Sequence, residues 1–264
     1  MQQAPRQVIA ANLAFIVFWI LVVTLMWLVG RRWERTRAFR ERMIAQWQPA
    51  LVITLIFLAS NVLSGRSFIN LYAPAIFCQA LIGLAIARGI AGYEPLTTTQ
   101  SILRRERIVR NIVLLIVIGT LAGIVGLLIG NVSMGIVQSI LHETKPTREV
   151  AQSFSVDKTQ AFFHFLWGAG IAEEMTYRLV ALSLVWAKTG RRWLAIFISA
   201  VLFAAYHLSP LDGSYLRFWQ FPVSQFSASM LIGIVWGYVF TKCDYETVVL
   251  SHTMSDWIPV LLFT

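Results

Sequence analysis

Long apolar runs alternate with short polar breaks along almost the whole chain. Crossing the hydrocarbon of a bilayer takes about 20 mostly apolar residues, within a range of roughly 17–25. By that rule the pattern predicts about eight helices, at residues 8–29, 48–64, 71–91, 108–130, 160–187, 193–208, 226–241 and 246–263. The second, sixth and seventh runs are short, which predicts little tilt or an extension into the adjoining loops. The fold class expected is all-α: a polytopic membrane protein whose eight or so helices form one transmembrane domain over residues 1–264, with 1–130 as its N-terminal membrane helices. The longest piece between runs is 131–159, and its first part, Val132 to Leu141, is mildly amphipathic and suited to the interface. Gly233 and Gly237 form a GxxxG pair, which predicts close packing of the seventh helix on a neighbour. The sequence carries no internal repeat and no long low-complexity segment.

Composition supports the same class. The 264 residues are 57% hydrophobic and only 13% charged, against about 25% charged in a soluble globule. The formal net charge of +9 would suggest nucleic acid in a soluble domain. Here the basic residues fall in short loops, so they read as orientation signals and no nucleic-acid partner is expected. If the helices alternate, one side holds Arg31, Arg32, Arg35, Arg37, Arg40, Arg42, Arg88, Arg104, Arg105, Arg107, Arg110, Lys188, Arg191, Arg192 and Lys242, which is 15 of the 22 Lys and Arg. The other side holds Arg6, Arg66, Lys145, Arg148, Lys158 and Arg217, and Arg178 lies within a run. The positive-inside rule then places the basic loops in the cytoplasm and both termini outside. The membrane would be the plasma membrane of a prokaryote or the endoplasmic reticulum of a eukaryote, and lipid is an expected partner. The basic segment 31–42 reads first as a topology signal and second as a short surface helix on anionic lipid. Cys78 falls mid-helix and Cys243 in a tight loop, so no disulfide or CxxC site is expected. The first run is followed by arginines and lacks a small-residue cleavage site, so it reads as a retained helix.

The candidate chemistry lies inside the apolar runs. Glu173-Glu174-Met175-Thr176-Tyr177-Arg178 places two carboxylates and a guanidinium where hydrocarbon is expected. Such groups cost several kcal/mol in lipid and by default mark a functional site. Glu174 and Arg178 are four apart and can pair on one helix face. Glu173 is turned by about 100° from Glu174 on an α-helix, outside that pairing and suited to acid–base work. His207 ends the sixth run, one turn beyond Phe203, and Pro210 stops the helix soon after. His252 and Asp256 are four apart in the eighth run, where the carboxylate could orient or polarise the imidazole. Straight helices place His207 near the outer end of its helix, His252 near the inner end of its own and Glu173 near the middle. Those depths must converge for the groups to act together. His164 is expected on a different face from Glu173, and Asp212, Asp244 and Glu246 are expected to be loop residues without a special role. Trp167, Trp186, Trp193, Trp236 and Trp257 fit interface belts or bundle packing.

In order along the chain, Glu173-Glu174-x-x-x-Arg178, Phe203-x-x-x-His207 and His252-x-x-x-Asp256 resemble the EExxxR, FxxxH and HxxxN/D motifs of the CPBP family. That family, also called Abi, comprises type II CAAX prenyl endopeptidases and bacteriocin-processing or self-immunity proteins. The resemblance spans about 160–262, which would be a catalytic core within the membrane domain. It implies an eight-helix intramembrane endopeptidase with a central, water-accessible polar cavity. It implies further that Glu173 activates water with help from His207, that His252 and Asp256 stabilise the oxyanion, and that Glu174 and Arg178 hold the site. An aspartate at 256 can donate to an oxyanion only when protonated, so polarising His252 is its alternative role. Substrates would be membrane-associated peptides or lipidated, CAAX-type proteins. Members of the family have been described both as metalloproteases and as glutamate proteases. The HExxH ligand pattern of many zinc proteases is absent, yet Glu173, His207 and His252 could hold zinc.

Two readings from other classes compete. A proton-coupled transporter would use the same buried groups as a relay, but it favours inverted repeats, which the sequence lacks. A non-catalytic scaffold or immunity protein would bind a membrane partner without needing the complete motif set. The oligomeric state is left open by the sequence.

Overall fold

A computed structural model describes residues 6–67, 70–143 and 157–263. These residues fold into helices joined by short connections, and no strand occurs among them. Helix α1 is Arg6–Arg32, α2 Glu34–Ala45, α3 Trp47–Leu63, α4 Ala73–Ala87, α5 Thr97–Arg104 and α6 Ile108–Leu141. Four consecutive segments then make one rod, α7: an α segment Lys158–Phe165, π-helical segments Leu166–Glu173 and Met175–Leu182, and an α segment Ser183–Thr189. Helix α8 is Arg192–Tyr206, the short α9 is Tyr215–Phe218, α10 is Pro222–Lys242 and α11 is Tyr245–Phe263.

The outer face of this assembly is apolar. Leu13, Val17, Leu21 and Leu28 of α1 and Leu121, Leu128, Val132 and Ile136 of α6 are more than half exposed. Water does not tolerate such continuous stripes, whereas lipid does, so the protein is an integral membrane protein. Helices α1, α6 and α10 are each long and apolar enough to cross a bilayer. The pair α2–α3, bent by 50° at Gln46, passes the same test as one broken span. The remaining predicted spans fall short for visible reasons. Helices α4 and α8 have only 15 residues each, a rise of about 22 Å against a hydrocarbon core of about 30 Å. Rod α7 carries Glu173, Glu174 and Arg178, and α11 is diluted by Ser251, His252, Thr253, Ser255 and Asp256.

Two expectations change here. Residues 132–141 are the last turns of the 34-residue α6, not a separate interfacial helix. The basic segment after α1 is helical, and Arg40 packs its guanidinium 4.5 Å over the Trp27 ring. Lys145 and Arg148 lie outside the described residues.

Close approach of helices is set by small residues. A Cβ on Gly233 would stand 3.0 Å from the Ala200 backbone, and one on Gly237 would stand 3.0 Å from Ile196, so the predicted GxxxG contact joins α10 to α8. Gly170 lets α11 press on α7, where a Cβ would meet the Thr253 hydroxyl and stand 3.0 Å from the Val249 carbonyl.

The π segments are held by side chains that take up backbone carbonyls. Tyr245 donates its hydroxyl to the Ile171 carbonyl at 3.1 Å, and Ser199 donates to the Tyr177 carbonyl at 2.7 Å. Within the rod, Thr176 donates to the Ala172 carbonyl at 3.1 Å. In a low-dielectric bundle these bonds satisfy groups that water cannot reach.

Candidate active site

The three motifs meet where α7, α8, α10 and α11 pack together. Glu174 and Arg178, one turn apart on the second half of α7, are both fully buried, with Nε 3.1 Å from Oε2. Removing two charges from water is favourable only when each is well met. The guanidinium lies 4.4 Å over the Phe203 ring and 5.6 Å from the Trp236 ring, so aromatic faces meet charge that Glu174 alone does not. Its terminal nitrogens make no hydrogen bond among the described residues.

Glu174 has a second partner. Its Oε1 lies 2.8 Å from His252 Nδ1. One carboxylate therefore joins the arginine of α7 to the histidine of α11. The opposite imidazole nitrogen, Nε2, lies 3.9 Å from Glu173 Oε2 and 3.7 Å from Asp256 Oδ2. The imidazole hydrogen bond expected from Asp256 is thus made by Glu174 instead. Asp256 accepts from the Ser255 hydroxyl at 3.2 Å and keeps a third of its side chain exposed. Trp236 covers the imidazole, with ring centroids 4.0 Å apart.

Glu173 stands apart from the Glu174–Arg178 pair, as the sequence predicts. Its side chain is 19% exposed, and Oε2 has no hydrogen-bond partner among the described residues. It lines a cavity of about 1040 Å³ together with His207, His252, Asp256, Phe203 and Tyr177. His207 follows the last residue of α8 directly and lines this wall. The Phe203 ring lies between the two histidines, 4.8 Å from His207 and 5.7 Å from His252. The three groups that straight helices placed at different depths thus line one cavity.

Two residues that the sequence reading set aside belong to this neighbourhood. Asp212 is not an idle loop residue. Its Oδ1 accepts from the Ser214 backbone N–H at 2.7 Å, and its Oδ2 lies 3.3 Å from His207 Nδ1. Only a turn two residues past Pro210 brings it there, and spacing along a helix does not show that. His164 lines the same cavity as Glu173 rather than a separate face, because α7 widens from α to π between them. Asp244 and Glu246 remain structural: Asp244 accepts from the Thr247 N–H, and Glu246 accepts from the N–H groups of Thr98 and Thr99. Trp167 and Trp236 line the cavity and do not form part of an interface belt.

Among the described residues no three His, Cys, Asp or Glu side chains are arranged to hold a metal ion. Each imidazole has a carboxylate beside it, Glu174 hydrogen-bonded to His252 at 2.8 Å and Asp212 3.3 Å from His207, with Glu173 open to the cavity.

Comparison with curated proteins and with solved structures gives no match. Over residues 156–258, the part that supplies every motif above, the chain is similar to the family model described as Type II CAAX prenyl endopeptidase Rce1-like.

Proposed function

We propose that the protein is an intramembrane endopeptidase that hydrolyses a peptide bond with water activated by Glu173. The observation that carries this reading is a carboxylate oxygen without a hydrogen bond, facing a cavity beside two imidazoles, one bonded to Glu174 and the other 3.3 Å from Asp212. Glu173 takes a proton from water as the water oxygen bonds to the scissile carbonyl carbon. His252, as an imidazolium whose Nδ1–H donates to Glu174, donates its Nε2–H to the developing oxyanion, with protonated Asp256 alongside. The C–N bond breaks as the proton held by Glu173 passes to the leaving amine. His207, held by Asp212, helps to position the water. Glu174 and Arg178 fix the histidine and do not touch the reacting atoms.

The wider frame of the proposal is an eight-helix transmembrane bundle around a central polar cavity, with residues 160–262 as its catalytic half and the basic loops in the cytoplasm. Membrane-associated peptides, prenylated or not, are the substrates. The size and mixed lining of the cavity favour a polypeptide over an ion relay, which speaks against the transporter reading.

The test is cleavage of a quenched fluorescent farnesylated CAAX peptide and its unprenylated twin by purified protein in liposomes, for wild type and Glu173→Gln, with and without chelator. Cleavage that Glu173→Gln abolishes and chelator leaves intact is expected. Loss in chelator with recovery in zinc would replace the glutamate mechanism by a metal-dependent one. Full activity of Glu173→Gln would refute the assigned base.

A further inference from the structure

The two ends of the bundle differ in charge, and the cavity belongs to one of them. At the first end, residues from four connections touch directly. Arg88 pairs with Glu94 at 2.7 Å. Tyr93 donates to the Phe240 carbonyl at 2.8 Å, and the Tyr245 N–H donates to the Pro95 carbonyl at 3.0 Å. Glu246 accepts from Thr98 and Thr99 at the start of α5. The Arg42 guanidinium abuts Gly89, and Trp193 stacks on Tyr238 with centroids 5.7 Å apart. This end therefore gathers the C-termini of α1, α4, α7 and α10 with α2, α5 and the N-termini of α6, α8 and α11. It carries the 15 Lys and Arg identified above.

The second end is knitted just as directly. Tyr215 donates to Gln7 at 2.8 Å, the Trp167 indole donates to Ser64 at 3.1 Å, and the Trp257 indole donates to the Lys158 carbonyl at 2.8 Å. Glu143 accepts from the N–H groups of Val223 and Ser224 at the start of α10. Among the described residues the Lys and Arg that belong here are Arg6, Arg66, Lys158 and Arg217. The exposed residues that line the cavity, Arg66, Asn131, Gly213, Ser214 and Arg217, all lie at this end, whereas buried Gln79 and Phe203 line its depth.

Short loops rich in Lys and Arg stay in the cytoplasm. We infer that the mouth of the cavity opens away from the cytoplasm. Taken with the protease reading, on which this step rests, the substrate is a polypeptide segment presented from the non-cytoplasmic face. An exported or membrane-anchored chain meets that condition, and a prenylated tail held at the cytoplasmic surface does not.

The natural chain already carries a reporter for the basic end. Cys243 is half-buried between α10 and α11, while Cys78 is buried and silent. At the cavity mouth, a Cβ on Gly213 would meet nothing within 4 Å, so Gly213→Cys is accommodated without displacing a neighbour. Full-length protein is labelled with a membrane-impermeant maleimide in right-side-out and inside-out membrane vesicles. One sample is the natural chain and the other is Gly213→Cys with Cys243→Ser. The thiol introduced at 213 is expected to label at least tenfold faster in right-side-out vesicles, and Cys243 tenfold faster in inside-out vesicles. The reverse pattern, or equal labelling of each site in both preparations, overturns the inference.

A second arm separates the cavity from its occupant. The water-soluble unprenylated peptide is added outside each vesicle type. Cleavage by right-side-out vesicles alone is expected, and cleavage by inside-out vesicles alone overturns the substrate assignment. Labelling as expected with no cleavage on either side overturns the protease reading while supporting the sidedness, because labelling needs no activity.

Discussion

Each charged side chain in the site has a distinct job, and single substitutions separate them. Glu173→Gln keeps the shape and removes the base, so kcat should fall by about 10²–10⁴ while thermal unfolding stays near that of wild type. Glu174→Gln does the reverse, because it leaves Arg178 buried without its counter-charge. Breaking a buried pair costs about 3–5 kcal/mol, so the unfolding midpoint should drop clearly. Adding Arg178→Met to Glu174→Gln should restore much of that loss, and a double-mutant cycle in denaturant measures it. Asp212→Asn should lower kcat by about tenfold with KM little changed, the size expected when a group acts only through another. In a His207→Gln background the same change should do nothing further. Additive losses would mean that Asp212 matters to its turn and not to the imidazole.

At the scale of elements, the sequence shows the apolar runs and the four-residue spacings because both follow from helix geometry alone. The motif residues, the GxxxG contact of Gly233 and Gly237, and the apartness of Glu173 are legible for that reason. What is hidden depends on contacts between elements. Asp212 becomes significant only when a turn carries it back to His207, and Glu174 bonds to a histidine 78 positions away. The π segments are also hidden, since they arise where Tyr245 and Ser199 reach carbonyls of another rod. Helix α8 is as short as its apolar run predicts, and His207 follows its last residue and lines the cavity. Gly233→Val should test the α8–α10 seam. With the Ala200 backbone 3.0 Å from the added Cβ, overpacking should cost about 1–3 kcal/mol and lower thermal stability in detergent. Activity should fall with it, because the same seam sets Phe203 against Trp236.

Seen whole, the molecule is asymmetric along its axis. One end is a basic collar of short helices and capped connections, and the other is the open end of a cavity with the reactive groups below it. The polar groups are gathered inward while α1 and α6 present apolar faces outward, as a chain dissolved in lipid requires. The two halves of the chain divide the work. The C-terminal part brings the motif residues, and α3 and α4 close the wall with Phe57, Ile76 and Gln79. Gln79 donates to Thr176 on the π-helical rod at 3.1 Å.

The π segments have a consequence for how this site can vary. Their i→i+5 turns hold more residues than an α-helix would over the same rise. Deleting one residue between Leu166 and Ser183 would let the backbone relax toward α pairing, and every side chain beyond the deletion would swing around the rod. Glu174 would leave His252, and Arg178 would leave the rings of Phe203 and Trp236, without any of the five being altered. Point changes in this stretch can be graded in their effect, whereas a change of length by one codon should be lethal to the site. Among descendants of this gene, the rod should therefore keep its length more strictly than its composition.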